Sequence, residues 1–300
     1  RAALRHRREA DRRGVIPAVP TRTALVTGAS SGIGHALVAR FVAEGWHVFA
    51  TVRRAEDATA LSAAFGAAVT ALIADVTDAA ALSAARDRVA DHLAGRPLGA
   101  LLLNAGIALP GPLLHQPLAE VRQMLDVNVL GAIATVQLFA PLMIVPGSET
   151  PRRIVAISSV SGKIAAPFVG AYAASKHALE AACDSLRREL MIHGIDVIMI
   201  EPGPIATPIW RKSAAGSRYE DTPYRDLFAR MSDYVAKSEA SALPVERVSD
   251  AVMTALTARR PRTRYPVVRN PLVNWLLPRV LPDRVLDRVI ARQLGLRRRR

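Results

Sequence analysis

Cysteine is almost absent: the 300-residue chain holds one, Cys183, which excludes a disulfide framework and removes any need for an oxidising compartment. No uninterrupted apolar run reaches the roughly 18 to 20 residues that would span a bilayer. The N-terminal stretch is Arg-rich and has no apolar segment before Val15, so it reads without a secretory signal, and its opening on Arg instead of Met points to a trimmed start. Lysine is scarce as well, with 4 Lys against 36 Arg, a bias that fits a GC-rich genome. The histidines His35, His47, His92, His115, His177 and His193 lack metal-ligand spacing with cysteine or carboxylates. Proline and glycine show no period, and half of the residues are hydrophobic, which excludes collagen-like and disordered chains.

Positive charge is present in excess, a formal +14, and its distribution decides what it means. Residues 1–22 carry +5 and residues 259–300 carry +11, whereas 23–258 carry −2. A near-neutral body therefore lies between two basic ends, and nucleic acid is not the expected partner. Three segments follow: a solvated, disordered basic arm over 1–22, a catalytic body over 23–268, and a basic amphipathic extension over 269–300.

Within the body, apolar runs alternate with helix-period segments. TALVT, WHVFATV, VTALIAD, LGALLLN, RIVAIS and IDVIMI read as strands. They are continuous runs with no polar alternation, as in a parallel sheet covered on both faces. Asp78 is placed to cap the helix DAAALSAARDRVADHL, one long helix is expected from Gln116 to Met143, and another from Tyr172 to His193. A further helix (VERVSDAVMTALTARR) and a short strand (RYPVV) close the body. The pattern predicts a single doubly wound α/β domain. Between residues 204 and 244 it breaks into a loop that carries Trp210, Tyr219, Tyr224, Phe228, Met231 and Tyr234.

The first chemical signal is TGASSGIG, Thr27 to Gly34, set between a strand and a helix. Gly28, Gly32 and Gly34 let the backbone approach a pyrophosphate, Ser30 and Ser31 offer hydroxyls, and Ile33 lies within the same turn. The end of the second strand reads Ala-Thr-Val-Arg-Arg, with no carboxylate for ribose hydroxyls before Glu56. Arg53 and Arg54 instead suit a 2′-phosphate, so NADP(H) is expected over NAD(H), which remains admissible. Next, Tyr172 and Lys176 lie four apart at a helix start and share a face. A neighbouring ammonium should favour the phenolate of a group whose ordinary pKa is about 10. Ser159, at the end of a strand, can donate to a carbonyl oxygen beside that tyrosine. Cys183 reads as a small buried side chain, and Asp126 and Glu180 read as charges on helix surfaces.

These motifs together resemble the short-chain dehydrogenase/reductase family over about residues 23–268. Those that match, in order, are TGASSGIG, Asp75-Val76, Asn104-Ala105-Gly106, Asn128, Ser159, Tyr172-x-x-x-Lys176 and Pro202-Gly203 with Thr207. The resemblance implies a Rossmann-type core with about seven parallel strands, and Tyr172 as general acid/base. Lys176 would lower its pKa and bind the nicotinamide ribose, Ser159 would polarise the substrate oxygen, and Asn128 would hold a water. Asp75 and Val76 would contact adenine, Asn104 to Gly106 would wall the cofactor, and Thr207 would take the carboxamide. Leu103 departs from the family, many of whose members carry a second Asn there. The segment around Tyr172 is most similar to the hydroxysteroid and retinol dehydrogenase branches.

The function expected is NADP(H)-dependent interconversion of an alcohol and a ketone or aldehyde, in a cytoplasmic homo-oligomer. The aromatic loop reads either as a lid favouring a lipophilic substrate or as packing onto the body. Two rival functions stay open: a non-catalytic dinucleotide sensor, and an adaptor working through the basic ends. Val285, Leu286, Val289 and Ile290, spaced with Arg284, Arg288 and Arg292, could lie peripherally on an anionic membrane or pack on protein.

Overall fold

The structure, a computed structural model, describes residues 22–145, 151–209, 219–230 and 242–296. The basic arm, Trp210, Met231, Tyr234 and the closing arginines lie outside them. Seven strands form one parallel sheet: β1 (Thr23–Val26), β2 (His47–Val52), β3 (Val69–Ile73), β4 (Ala100–Leu103), β5 (Arg152–Ile157), β6 (Ile195–Pro202) and β7 (Arg264–Val267). Their order is β3-β2-β1-β4-β5-β6-β7. The order reverses between β1 and β4, which pair in parallel with Leu25 opposite Leu101. In an open α/β sheet that reversal leaves a crevice beyond the carboxyl ends of the two strands, where ligands bind.

Helices cover both faces. Alternate strand residues feed two cores: Ala24, Val26, Val48 and Leu102 pack beneath α1 (Gly32–Ala43), α2 (Ala55–Phe65) and α7 (Glu246–Thr257). Leu25, Phe49, Leu101 and Ile154 pack beneath α3 (Ala79–Leu93), α5 (Gly131–Phe139) and α6 (Gly170–Glu189). The Asp78 carboxylate accepts from the amides of Ala80 and Ala81 at 2.9 and 3.0 Å, the expected cap on α3.

The long helix expected over 116–143 is helical from Leu118 but not uniform. α4 (Leu118–Leu125) and α5 are joined by a π-helical turn, Asp126–Leu130. The Leu118–Met143 helix is long and apolar enough to cross a membrane by length and composition. An uninterrupted-run criterion overlooks it, because Glu120, Arg122 and Asp126 break the run. In the fold Ala132, Val136, Phe139, Ala140 and Met143 of this helix enter the second core.

After β7 the chain forms α8 (Leu277–Val280) and α9 (Asp283–Leu294). Part of this segment is tied to the body. The indole of Trp275 donates to the Glu201 carboxylate, and Leu294 packs against a third cluster that contains Met124, Phe168 and Tyr172. Leu272, Leu276, Leu277 and Val280 stay exposed.

One histidine pair makes the fold acid-sensitive. His47 on β2 is buried, its Nε2 lies 2.9 Å from Thr70 Oγ1, and its ring stacks on His92 at 4.3 Å. Burial, reinforced by the neighbouring His92, lowers the His47 pKa to about 4. The unfolded chain therefore binds a proton that the folded chain refuses between pH 6.5 and about 4. Stability is fully present above pH 6.5 and is lost as the pH falls through that window, by on the order of 3 kcal/mol from this site. Urea unfolding from pH 4 to 7.5 should show a shallower loss in His47→Gln than in the wild type; parallel curves would contradict this.

Candidate active site

The crevice at the sheet's reversal point is built first by the turn after β1. Gly28 and Gly32 adopt φ of +67° and +56°, a left-handed conformation that glycine takes without strain. Asn104, just past β4, holds the turn in place. Its Nδ2 donates to the carbonyls of Thr27 at 2.8 Å and Gly28 at 3.1 Å. Thr27 Oγ1 in turn accepts from the amides of Asn104 and Ala105, both at 3.0 Å. A Cβ on Gly28 would stand 2.9 Å from Ala105 Cα, and one on Gly34 only 2.2 Å from Gly28 O. At the start of α1, Ser31 makes no side-chain cap bond and the first turn holds no acidic residue. An electropositive helix end is thus left facing the crevice, which suits a phosphate group.

One cavity of about 310 Å³ runs from this turn to the catalytic helix. Gly28, Ser30, Ser31, Gly32, Ile33 and Gly34 line one end, with Arg53, Asp75 and Val76 at the β2 and β3 exits. Asn104, Ala105, Gly106, Pro202, Gly203 and Thr207 line it as well, with Thr207 3.3 Å from where a Cβ on Gly32 would stand. Ser159, Tyr172 and Lys176 line the same cavity. Glycines shaped for close backbone approach, an uncapped helix end and an arginine at the rim together fit a dinucleotide.

Two of the residues expected in the site are not on that lining. Arg54 clasps Asp57 with two bonds, both 3.0 Å, and its side chain is 71% exposed; of the two arginines, only Arg53 faces the cavity. Asn128 sits behind the wall in the π-helical turn, nearly fully buried. Its Oδ1 accepts from Ile107 N at 2.8 Å, and its Nδ2 donates to Ile107 O and Ser175 Oγ, each at 2.9 Å. Ser175 Oγ donates onward to Tyr172 O at 2.7 Å. Asn128 thereby joins the loop after β4 to the catalytic helix. Sequence reasoning misses Ser175, and only its place inside Tyr-Ala-Ala-Ser-Lys hints at this link.

The Tyr172 hydroxyl shares a hydrogen bond with Ser159. Lys176 Nζ donates to Ile157 O at 2.8 Å and lies 5.9 Å from the Tyr172 ring centroid. A Cβ on Gly106 would be 3.7 Å from that ammonium and 3.3 Å from Asn128 Oδ1, so all three crowd one spot. The expected drop in the tyrosine pKa is overturned here. Burial dominates and pushes the phenol up to about 12, with the Ser159 bond pulling against it. The same burial lowers Lys176 to about 8, opposed by Cys183 and Glu180. An ammonium committed to a backbone carbonyl does not offset the desolvation of a phenol.

Glu180 is also a correction: it is 1% exposed, not a surface charge. One turn beyond Lys176, it pairs with Lys163 at 3.1 Å and Arg264 at 3.0 Å. Cys183 is buried as expected. The aromatics of the 204–244 loop that are described do not line the cavity. Tyr219, Tyr224 and Phe228 pack edge-on with one another and with Phe168, which favours packing onto the body for these residues. The cavity's apolar side is instead Ile107, Ala108, Leu109, Val127, Ile205 and Ile209.

Comparison with known proteins identifies relatives along most of the chain. The family model described as short chain dehydrogenase matches residues 22–218. The NADPH-dependent 3-dehydrocapnine reductase of Ornithobacterium rhinotracheale is 38% identical over 277 residues, 91% of this chain and 97% of that protein. Human 17-beta-hydroxysteroid dehydrogenase type 1 is 38% identical over 258 residues, covering 80% and 76% of the two chains. Among solved structures, a short-chain dehydrogenase from Streptomyces avermitilis superposes with a TM-score of 0.73 at 27% identity, covering 91% of this chain and 95% of that one.

Proposed function

The chain belongs to the short-chain dehydrogenase family of oxidoreductases, and from that premise we propose that it is an NADP(H)-dependent reductase of a lipophilic ketone or aldehyde. The observation that carries this reading is the buried Tyr172–Ser159 hydrogen bond in a cavity that the glycine turn also lines. When bound, the nicotinamide supplies or accepts the hydride. Ser159 donates a hydrogen bond to the substrate oxygen and orients it toward Tyr172 Oη. Tyr172, protonated at neutral pH because burial raises its pKa to about 12, gives its proton to that oxygen as negative charge develops there. Lys176, fixed to Ile157 O, places a cation beside the phenolate that the transfer leaves. Asn128 keeps the Gly106–Ile107 backbone and α6 in register through Ile107 and Ser175.

The apolar wall from Ile107 to Ile209 supports a lipophilic substrate, and the name of the human relative includes a hydroxysteroid. Arg53 at the cavity rim supports a 2′-phosphate, as does the NADPH dependence named for the Ornithobacterium relative. NADPH oxidation followed at 340 nm against steroid, retinoid, 3-oxoacyl and aromatic carbonyls tests the function, with NADH as the control. No turnover of any of these carbonyls would sink it. Arg53→Ala should raise KM for NADPH about tenfold or more, through loss of a charge-assisted phosphate contact, and leave KM for NADH nearly unchanged. Equal effects on both cofactors would remove Arg53 from the phosphate site.

A further inference from the structure

Behind the proton-transfer residues lies a second, buried set of charges that the reaction as described does not use. Three stretches that deliver the active site each contribute one member. Lys163 lies four residues past Ser159, Glu180 one turn past Lys176 on α6, and Glu201 immediately before Pro202 on β6. Arg264 on β7 bridges the two carboxylates, with its Nε 3.0 Å from Glu180 Oε2 and 3.2 Å from Glu201 Oε1. Lys163 Nζ holds the same Glu180 Oε2 at 3.1 Å. Both glutamates are essentially sealed from solvent, at 1% and 0% exposed.

Further charged groups border the set. On α6, Asp184 takes the remaining arm of Arg264 at 2.9 Å. From the C-terminal segment, Arg279 approaches Glu201 Oε2 at 3.4 Å and the Trp275 indole donates to it. The Glu180 and Glu201 carboxyls also face each other. A buried ionic cluster of this kind is weak as a source of stability, because desolvation offsets most of the Coulomb gain. Its placement is informative instead: it fixes a carboxylate on the same helix face as Lys176, in a low-dielectric region where a charge one turn away is felt strongly.

We propose that Glu180 is a positioning residue for the proton-transfer pair: held by Lys163 and Arg264, it sets the electrostatic field in which Lys176 keeps its proton beside Tyr172. This rests on the oxidoreductase reading above, yet it concerns the lysine itself and has a readout that needs no turnover. Burial works against the Lys176 ammonium, and the Glu180 carboxylate one turn on along the same helix supports it. Glu180→Gln removes that support without changing shape. Lys163→Gln removes a cation that partly neutralises Glu180, so it should act in the opposite sense.

The chain has only four lysines, Lys163, Lys176, Lys212 and Lys237. Titration of 13C-lysine-labelled full-length protein by NMR therefore follows Lys176 directly. Glu180→Gln should lower the Lys176 midpoint by about half a pH unit or more, and Lys163→Gln should raise it by a similar amount. Glu180→Asp, which keeps the charge, should stay close to the wild type. In turnover assays the alkaline limb of kcat should move in the same two directions. A midpoint that stays fixed in both variants, or moves the same way in both, would overturn the proposal and leave the cluster a packing feature. Should Glu180→Gln fail to fold, Lys163→Gln alone decides: no upward movement refutes it. If the wild type reduces no carbonyl, the function above fails while this titration still gives its own answer.

Discussion

Tyr172→Phe should lower kcat by about 10²- to 10⁴-fold, the usual worth of a positioned general acid, while cofactor binding stays within a few-fold of the wild type. The change deletes one oxygen from a side chain that is 5% exposed and leaves the ring in the apolar cluster with Met124 and Phe168. The neighbours keep their partners. Ser159 Oγ still accepts from Ser161 N at 3.1 Å and reaches Pro202 O at 3.4 Å, and Lys176 still holds Ile157 O. With these partners kept, stability should change by less than about 1 kcal/mol. A fall in kcat without a fall in thermal stability or in NADPH affinity therefore isolates proton transfer. If the phenylalanine variant instead reduced every carbonyl at the wild-type rate while still binding NADPH, the dinucleotide-sensor reading would become the better one.

The sheet was legible because its strands are buried on both faces and so lack polar alternation. β1, β2, β4 and β5 are buried at every position, and apart from Arg152 and Arg153 at the start of β5 each reads as a largely apolar run. The cofactor turn was legible for a local reason too: strand, glycines and helix follow within a dozen residues. What escaped depends on partners far apart in the chain. Glu180 looks like any charge on an amphipathic helix, and only Lys163, Arg264 and Glu201, brought together by β5, β6 and β7, make its burial tolerable. The same folding removes part of the C-terminal charge from the tail, since Arg264 and Arg279 are neutralised within the body. Arg53 and Arg54 are chemically identical neighbours, and Asp57, three residues on, decides which of them is diverted. The π-helical turn at Asn128 has no sequence pattern of its own. The direction of the tyrosine pKa turned on a distance: spacing places an ammonium on the right face of the helix, but not close enough to outweigh burial.

Gly34→Ala should abolish measurable cofactor binding, a loss of about 100-fold or more, for a reason confined to a few atoms. Its Cβ would sit 2.2 Å from Gly28 O and 2.5 Å from Asn104 Nδ2. Gly28 O is backbone of the turn itself, and Asn104 Nδ2 is the donor that fixes that turn through Thr27 O and Gly28 O. Neither can yield without opening the loop whose amide groups and helix end would receive the cofactor phosphates in the proposed function. At a β-to-α turn, moving the backbone by an ångström disrupts several aligned contacts at once, and each lost charge-assisted bond costs about 1.5–3 kcal/mol. Gly45→Ala supplies the contrast. Gly45 has φ +76° but nothing within 4 Å of the place a methyl would take, so an alanine there meets only left-handed backbone strain, about 1–2 kcal/mol. It should lower the melting temperature and leave NADPH affinity intact. Titration calorimetry with NADPH separates the two substitutions: backbone strain at Gly45 should leave the binding heat in place, whereas steric displacement of the turn should remove it in Gly34→Ala. Retention of wild-type NADPH affinity in Gly34→Ala would mean that the turn after β1 does not hold the cofactor.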